Sequence, residues 1–211
     1  MTGSGLIETI RVRGGTAPLW RLHLERLTTA SAALGLALPE RIVAPSGGAD
    51  RVVRLLLDRD GISASQRSAE VPLPLRLVVV RQPHVSYPFK TTARGVFDRA
   101  SRQAEEAGAD EPVLLASRRL VAETARWGLY WWEGDQLCAP SRALGVLPSV
   151  ARARIEELVP VAERMVEPEQ LGECPRFVAN AARGIVEVTA WNGDALPLSG
   201  QTRALAAQFW P

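Results

Sequence analysis

The 211-residue sequence predicts an α+β fold, with a small N-terminal part, a larger C-terminal part and a cleft between them. Three observations carry that prediction. Short alternating, β-branched segments recur along the chain and follow one another in hairpin order after residue 110. Helical periodicity interrupts them near residues 19–34, 91–107, 150–158 and 200–209. The segment 82–89, with prolines at Pro83 and Pro88, cannot form a regular helix. It is the expected linker between a domain at 1–81 and one at 90–211.

Taken in order, residues 5–13 alternate as a strand, and Gly14-Gly15 supplies the turn. Over 19–34, Trp20, Leu24, Leu27, Ser31 and Leu34 fall on one helical stripe, with His23, Arg26 and Ala30 on a neighbouring face. Gly35 is the expected C-cap. Residues 45–50 read as a polar loop. Strands follow at 52–57 and 75–80, separated by a turn at 58–63 and by Pro72 and Pro74. After the linker, Thr91-Thr92 should cap a helix running to Ala107, where Gly108 stops it. Strands are then expected at 111–116, 120–124, 127–133 and 136–139, with a turn at Gly134-Asp135. Pro148-Ser149 opens the helix at 150–158, and 176–180 and 185–191 are the last strands before the terminal helix.

Composition excludes several classes of function. The 25 basic residues face 23 acidic ones, and the arginines are scattered through both halves, so no nucleic-acid footprint stands out. No run of eighteen apolar residues exists, which argues against a membrane partner, and the N-terminus lacks the pattern of a secretory signal. Cys138 and Cys174 are too few for a disulfide framework and too far apart for a metal pair, so reduced thiols, a cytoplasmic location and no metal are expected.

One compositional fact is selective. Lys90 is the single lysine, so the other 24 basic residues are arginine. Arginine meets the surface charge of this chain, yet guanidinium neither loses its proton nor forms an imine. Lys90 lies between a proline-rich linker and a helix start, where the positive helix end and partial burial would both depress its pKa. Glu123 follows on a strand in Val-Ala-Glu-Thr, suited to pairing with a protonated ring nitrogen. The loop at 145–149 feeds a helix whose first amides, from Val150 and Ala151, suit a phosphate, and Arg26 could close on the same group.

The order of these motifs resembles the class IV aminotransferases, the fold-type IV enzymes dependent on pyridoxal 5'-phosphate (PLP), and most of all aminodeoxychorismate lyase. GSGLIETIRVRGG resembles the family's glycine-led strand, HLERL its H-x-x-R-L helix, and YPFKTTAR its segment around the catalytic lysine. AGADEPVLL with VAET, GVLPSVARARI and NAARGIVEV resemble three further motifs, so the likeness covers nearly the whole chain. It implies a small N-terminal α/β part, shortened at its start, and a larger β-barrel-like part. It implies that Lys90 is the catalytic lysine and holds PLP, with Arg26, Val150 and Ala151 at the phosphate and Glu123 at the ring nitrogen. Asn180, Ala181, Ala182 and Arg183 would lie near the substrate carboxylate.

The departures bear on substrate choice. The family's lead-in before the glycine-led strand is not seen, and a tyrosine with part of the dimer surface would go with it. Ser149 stands where glycine is usual, Ala151 where threonine is usual, and Trp127-Gly128 where a serine–asparagine pair is usual. The resemblance implies a small-molecule amine or amino acid as substrate and a homodimer, with Trp131, Trp132 and Trp210 suited to its interface. Lyase activity is the favoured reading. The alternatives are a class IV aminotransferase acting on branched-chain or D-amino acids, and a non-catalytic or weakly active member.

Overall fold

The computed structural model of the protein describes residues 5–211; Gly3 and Ser4 of the glycine-led motif lie outside the described residues. Two sheets organise the chain. In the smaller, β1 (Leu6–Val12) is followed by α1 (Trp20–Leu34) and then by β2 (Arg51–Asp58) and β3 (Gly61–Ser68), antiparallel in the order β1-β2-β3. Alternation gives β1 two faces. Leu6, Ile10 and Val12 pack with Leu27, Ala30 and Trp20 of α1, whereas Ile7 and Thr9 point into the cleft. Glu8 is the one charged residue on the face turned to α1, and it is 2% exposed.

The larger sheet begins with β4 (Leu75–Pro83), crosses over through α2 (Gly95–Glu106) and returns as the parallel strand β5 (Glu111–Leu115). β6 (Val121–Thr124) pairs back on β5, and β7 (Gly128–Glu133) and β8 (Gln136–Pro140) form a separate hairpin. β6 and β7 do not pair, so the unbroken hairpin order expected after residue 110 is interrupted there. After α3 (Val150–Leu158) come β9 (Val161–Arg164), β10 (Arg176–Asn180), β11 (Gly184–Trp191), the short β12 (Asp194–Ala195) and α4 (Gly200–Gln208). The sheet runs β6-β5-β4-β11-β10-β7-β8-β9, with β12 on β11. It curls as expected of a barrel-like domain. Its inner face is filled by Leu77, Val113, Trp131, Val178 and Val188, and α3 and α4 cover Tyr130, Leu137 and Phe177 on the other face. Each such large side chain contributes on the order of 2–3 kcal/mol by burial.

Several expectations are corrected. The sequence predicts a turn and a proline segment where β3 lies; the residues of this edge strand are mostly exposed and lack apolar alternation, so no strand pattern marks it. β9 is four residues long and pairs in parallel with β8, a tertiary partner that local sequence does not reveal. β4 belongs to the larger sheet, so the two sheets divide between Ser68 and Leu75. The helix after Lys90 begins at Gly95, with no side-chain cap at Arg94. Thr92 Oγ1 instead accepts from the Gly5 amide (3.1 Å) and Thr91 Oγ1 from the Ala93 amide (3.3 Å). The buried face of α1 is Leu22, His23, Leu27, Ala30 and Ser31, turned from the expected stripe so that His23 meets Glu8; Gly35 is its left-handed C-cap. Trp131 and Trp132 are core residues on opposite faces of β7 and offer no interface surface. Among the described residues no helix is long and apolar enough to cross a membrane.

Candidate active site

One cavity of about 510 Å³ opens between the two sheets, and Lys90 lines it. The end of the linker is tied down on both sides of this residue. Ile7 donates its amide to the Lys90 carbonyl (2.7 Å) and Thr92 to that of Gly5 (2.9 Å). The Tyr87 hydroxyl donates to the Thr91 carbonyl (2.7 Å) and accepts from its amide (2.8 Å). The Lys90 amine has no hydrogen-bond or ion-pair partner among the described residues. Burial first, then the Arg26 and Arg94 guanidinium groups, push it down to about 7. The helix end invoked from the sequence is therefore not the cause, since α2 begins five residues later.

Arg26 lines the same cavity and is held from behind by Glu8. Its Nε donates to Glu8 Oε1 (2.8 Å) and its Nη2 to Oε2 (2.5 Å), while Nη1 donates to the Pro148 carbonyl (3.2 Å). His23 Nδ1 sits 2.6 Å from Glu8 Oε2. Burial opposes ionisation of Glu8, but the Arg26 charge and the bonds from His23 and Arg26 outweigh it and bring the carboxyl to about 2. Burial holds His23 neutral, below its usual range.

Glu123 projects from β6 into the cavity, where Oε1 lies 2.8 Å from His84 Nε2 and Oε2 accepts from the Leu147 amide at 3.4 Å. Glu8, His23 and His84 were not singled out as site residues, although a signal existed: the chain has only two histidines, and each is buried against a carboxylate.

The loop before α3 forms the next wall. Gly145 accepts from the Tyr87 amide (2.8 Å) at φ +75°, and a Cβ there would lie 2.9 Å from the Ser86 Cβ. Ser149 caps α3, its hydroxyl accepting from the Arg152 amide (3.4 Å). The amides of Val150 and Ala151 at the first two helical positions have no carbonyl one turn earlier to bond. Val150 lines the cavity, whereas the Ala151 side chain is buried behind it. Asn180, Ala181, Ala182 and Arg183 line the opposite wall in the β10–β11 turn. There Asn180 Oδ1 accepts from the Ala182 (3.0 Å) and Arg183 (2.8 Å) amides, so these two donors serve the turn itself.

The order of Lys90, Glu123 and the α3 loop within one matched stretch decides the family: residues 62–191 match the model for amino-transferase class IV, more than half of the chain. The chain belongs to the class IV aminotransferases. No curated protein sequence matches it. Its fold is shared with a protein from Mesorhizobium loti provisionally named an amino-acid aminotransferase (26% identity, TM-score 0.82, covering 89% of this chain and 100% of that one). The branched-chain aminotransferase of Thermoproteus uzoniensis is 20% identical, with a TM-score of 0.85 and coverage of 98% and 84%. A Legionella pneumophila protein provisionally named 4-amino-4-deoxychorismate lyase is 21% identical, with a TM-score of 0.82 and coverage of 98% and 91%.

Class IV aminotransferases are PLP-dependent enzymes, and the residues present fit that cofactor. The unbonded amides of Val150 and Ala151 suit a phosphate at a helix N-terminus. Arg26, reaching Pro148 of the same loop, adds a charge fixed by Glu8. The amine depressed toward neutrality suits covalent attachment, and Glu123 suits a protonated ring nitrogen. Ser149 thus keeps a hydroxyl in the loop where Ala151 lacks one.

Proposed function

We propose that this class IV aminotransferase family member acts as an aminodeoxychorismate lyase, converting 4-amino-4-deoxychorismate to 4-aminobenzoate and pyruvate. The observation that carries the proposal is the charge of the cavity. Among the described residues, eight arginines and Lys90 line it against three acids, Asp98, Glu105 and Glu123. Five of these arginines are ion-paired with carboxylates behind the wall, which leaves Arg54, Arg94, Arg102 and Lys90 as cations without an ion-pair partner among the described residues. The proposed substrate carries two carboxylates, so these cations suit it better than they suit a branched-chain amino acid with an aliphatic side chain.

PLP, when bound, supplies an electron-withdrawing ring next to the amine-bearing carbon of the substrate. Lys90 would hold the cofactor and then, as a neutral amine, take the proton from that carbon. Its depressed pKa keeps a base available near neutral pH. Glu123, oriented by His84, would hold a proton on the ring nitrogen. Arg26, Val150 and Ala151 would bind the phosphate, and Asn180, Ala181, Ala182 and Arg183 would face the substrate.

The aminotransferase reading is favoured by the name of the Mesorhizobium loti neighbour, the most similar in sequence of the three described. One assay separates the two. Protein loaded with PLP and given 4-amino-4-deoxychorismate without any 2-oxo acid is expected to release pyruvate and 4-aminobenzoate in equal amounts. Absence of pyruvate, with amine exchange between branched-chain or D-amino acids and 2-oxo acids, overturns the lyase reading. We also propose a cytoplasmic homodimer, supported by the family resemblance, by the free thiols Cys138 and Cys174, and by Val71 and Leu73, which are 83% and 72% exposed.

A further inference from the structure

The arginines of the cavity are not equivalent. Arg26, Arg94, Arg126 and Arg152 each donate to a fixed group within their own neighbourhood. Arg54 lies on the cleft-facing side of the small sheet and has no hydrogen-bond or ion-pair partner among the described residues. Two further cavity arginines, Arg67 on β3 and Arg183 in the β10–β11 turn, come from different sheets and share one carboxylate. Arg67 Nη1 donates to Glu70 Oε1 at 3.0 Å, and Arg183 Nη2 donates to Glu70 Oε2.

Glu70 does not line the cavity itself. It lies in the segment joining the small sheet to β4, and its side chain is 58% exposed. Arg183 is steadied independently, its guanidinium lying over the Trp127 ring at 5.7 Å from the centroid. Trp127 is in turn buried, its indole N–H donating to Glu111 Oε1 (3.1 Å). One carboxylate accepting from two arginines, each with one oxygen, is also the way a substrate carboxylate would be bound there. Arg54 is on the same face as Arg67, diagonal to it across the β2–β3 register, in which Arg54 pairs with Ser65 and Val52 with Arg67. It offers a second cation to a second anionic group.

We propose that Arg67 and Arg183 form a carboxylate seat of the substrate site, which Glu70 fills from within the chain and an incoming substrate carboxylate takes over. The proposal rests on the reading of this cavity as the substrate site, and not on which reaction follows binding. Exposed ion pairs hold weakly, up to about fivefold each, so displacing Glu70 from its two arginines costs a ligand no more than about thirtyfold in affinity. Glu70 thereby favours dianions, which gain Arg54 as well, over weaker anions that cannot displace it. It also ties the small sheet to the β10–β11 turn until the exchange occurs.

The test is calorimetric titration of the PLP-loaded protein at low salt with benzene-1,3-dicarboxylate, and with the neutral benzene-1,3-dicarboxamide as a control. Glu70→Gln is expected to bind the dicarboxylate about threefold tighter than the unaltered protein, and to leave the dicarboxamide unchanged. Arg183→Gln is expected to weaken the dicarboxylate about tenfold. The gain in Glu70→Gln should shrink as salt is raised, since it is electrostatic. Unchanged or weaker dicarboxylate binding by Glu70→Gln, an equal gain for the dicarboxamide, or no dicarboxylate binding by either protein overturns the seat. Because no turnover is measured, failure of the lyase assay with the tighter binding intact would reject the reaction and keep the seat.

Discussion

Lys90 stands out in the composition as the single lysine beside 24 arginines, and the fold places it on the wall of the cavity. Its fold-imposed pKa has a consequence for stability. In the folded protein the protonated amine is disfavoured, at about 7 against the ordinary 10.5. The cost is full below pH 7 and fades as pH rises toward 10.5, because only there does the unfolded chain also release the proton. In the cofactor-free protein, Lys90→Met is expected to raise the unfolding free energy by roughly 2–4 kcal/mol near pH 7, and by much less at pH 10. Urea titrations at the two pH values measure it, and equal gains at both would contradict the assignment. Glu8 behaves in the opposite sense. With its folded pKa at about 2, it stabilises the protein above pH 4.5 and loses that contribution as pH falls toward 2. Glu8→Gln is expected to cost roughly 3 kcal/mol at pH 7 and to weaken PLP more than pyridoxal, since it releases the phosphate arginine. Equal loss for both ligands would mean that Glu8 supports the fold alone. Glu8 does not stand out in the sequence, because a carboxylate on a strand acquires its meaning only from the helix packed against it.

At the scale of elements, apolar alternation was a sound guide where a segment is buried and a poor one at an edge. β7 was found because Leu129 and Trp131 enter one core and Tyr130 and Trp132 the other. β3 was missed because tight turning at Gly61 and pairing with β2 hold it in place, with little burial of its own. The buried stripe of α1 was displaced by the pairing of His23 with Glu8, a polar contact that hydrophobic periodicity does not encode. At Gly145 the α3 loop runs close against the linker. Gly145→Ala is expected to cost about 2–3 kcal/mol, since it forces a side chain into positive φ and against Ser86. Thermal unfolding checks this. A variant as stable as the parent would mean that the loop and linker are free to part.

For the whole molecule, the motif order revealed the family and the two-part architecture; that β4 joins the larger sheet is a long-range pairing local sequence does not show. Assembly is a prediction at this scale. Light scattering at micromolar concentration is expected to give twice the 22.9 kDa chain mass. A monomer would leave Val71 and Leu73 uncovered and contradict the proposed dimer. The central claim is that Lys90 carries PLP within the arginine-lined cavity. Its most direct test is the visible absorbance of the protein titrated with PLP, beside that of Lys90→Ala, followed by borohydride reduction and peptide mapping. A saturable band in the parent, absent from the variant, with the reduced cofactor on the Lys90 peptide, is the predicted result. The same band in both proteins, or in neither, would contradict it.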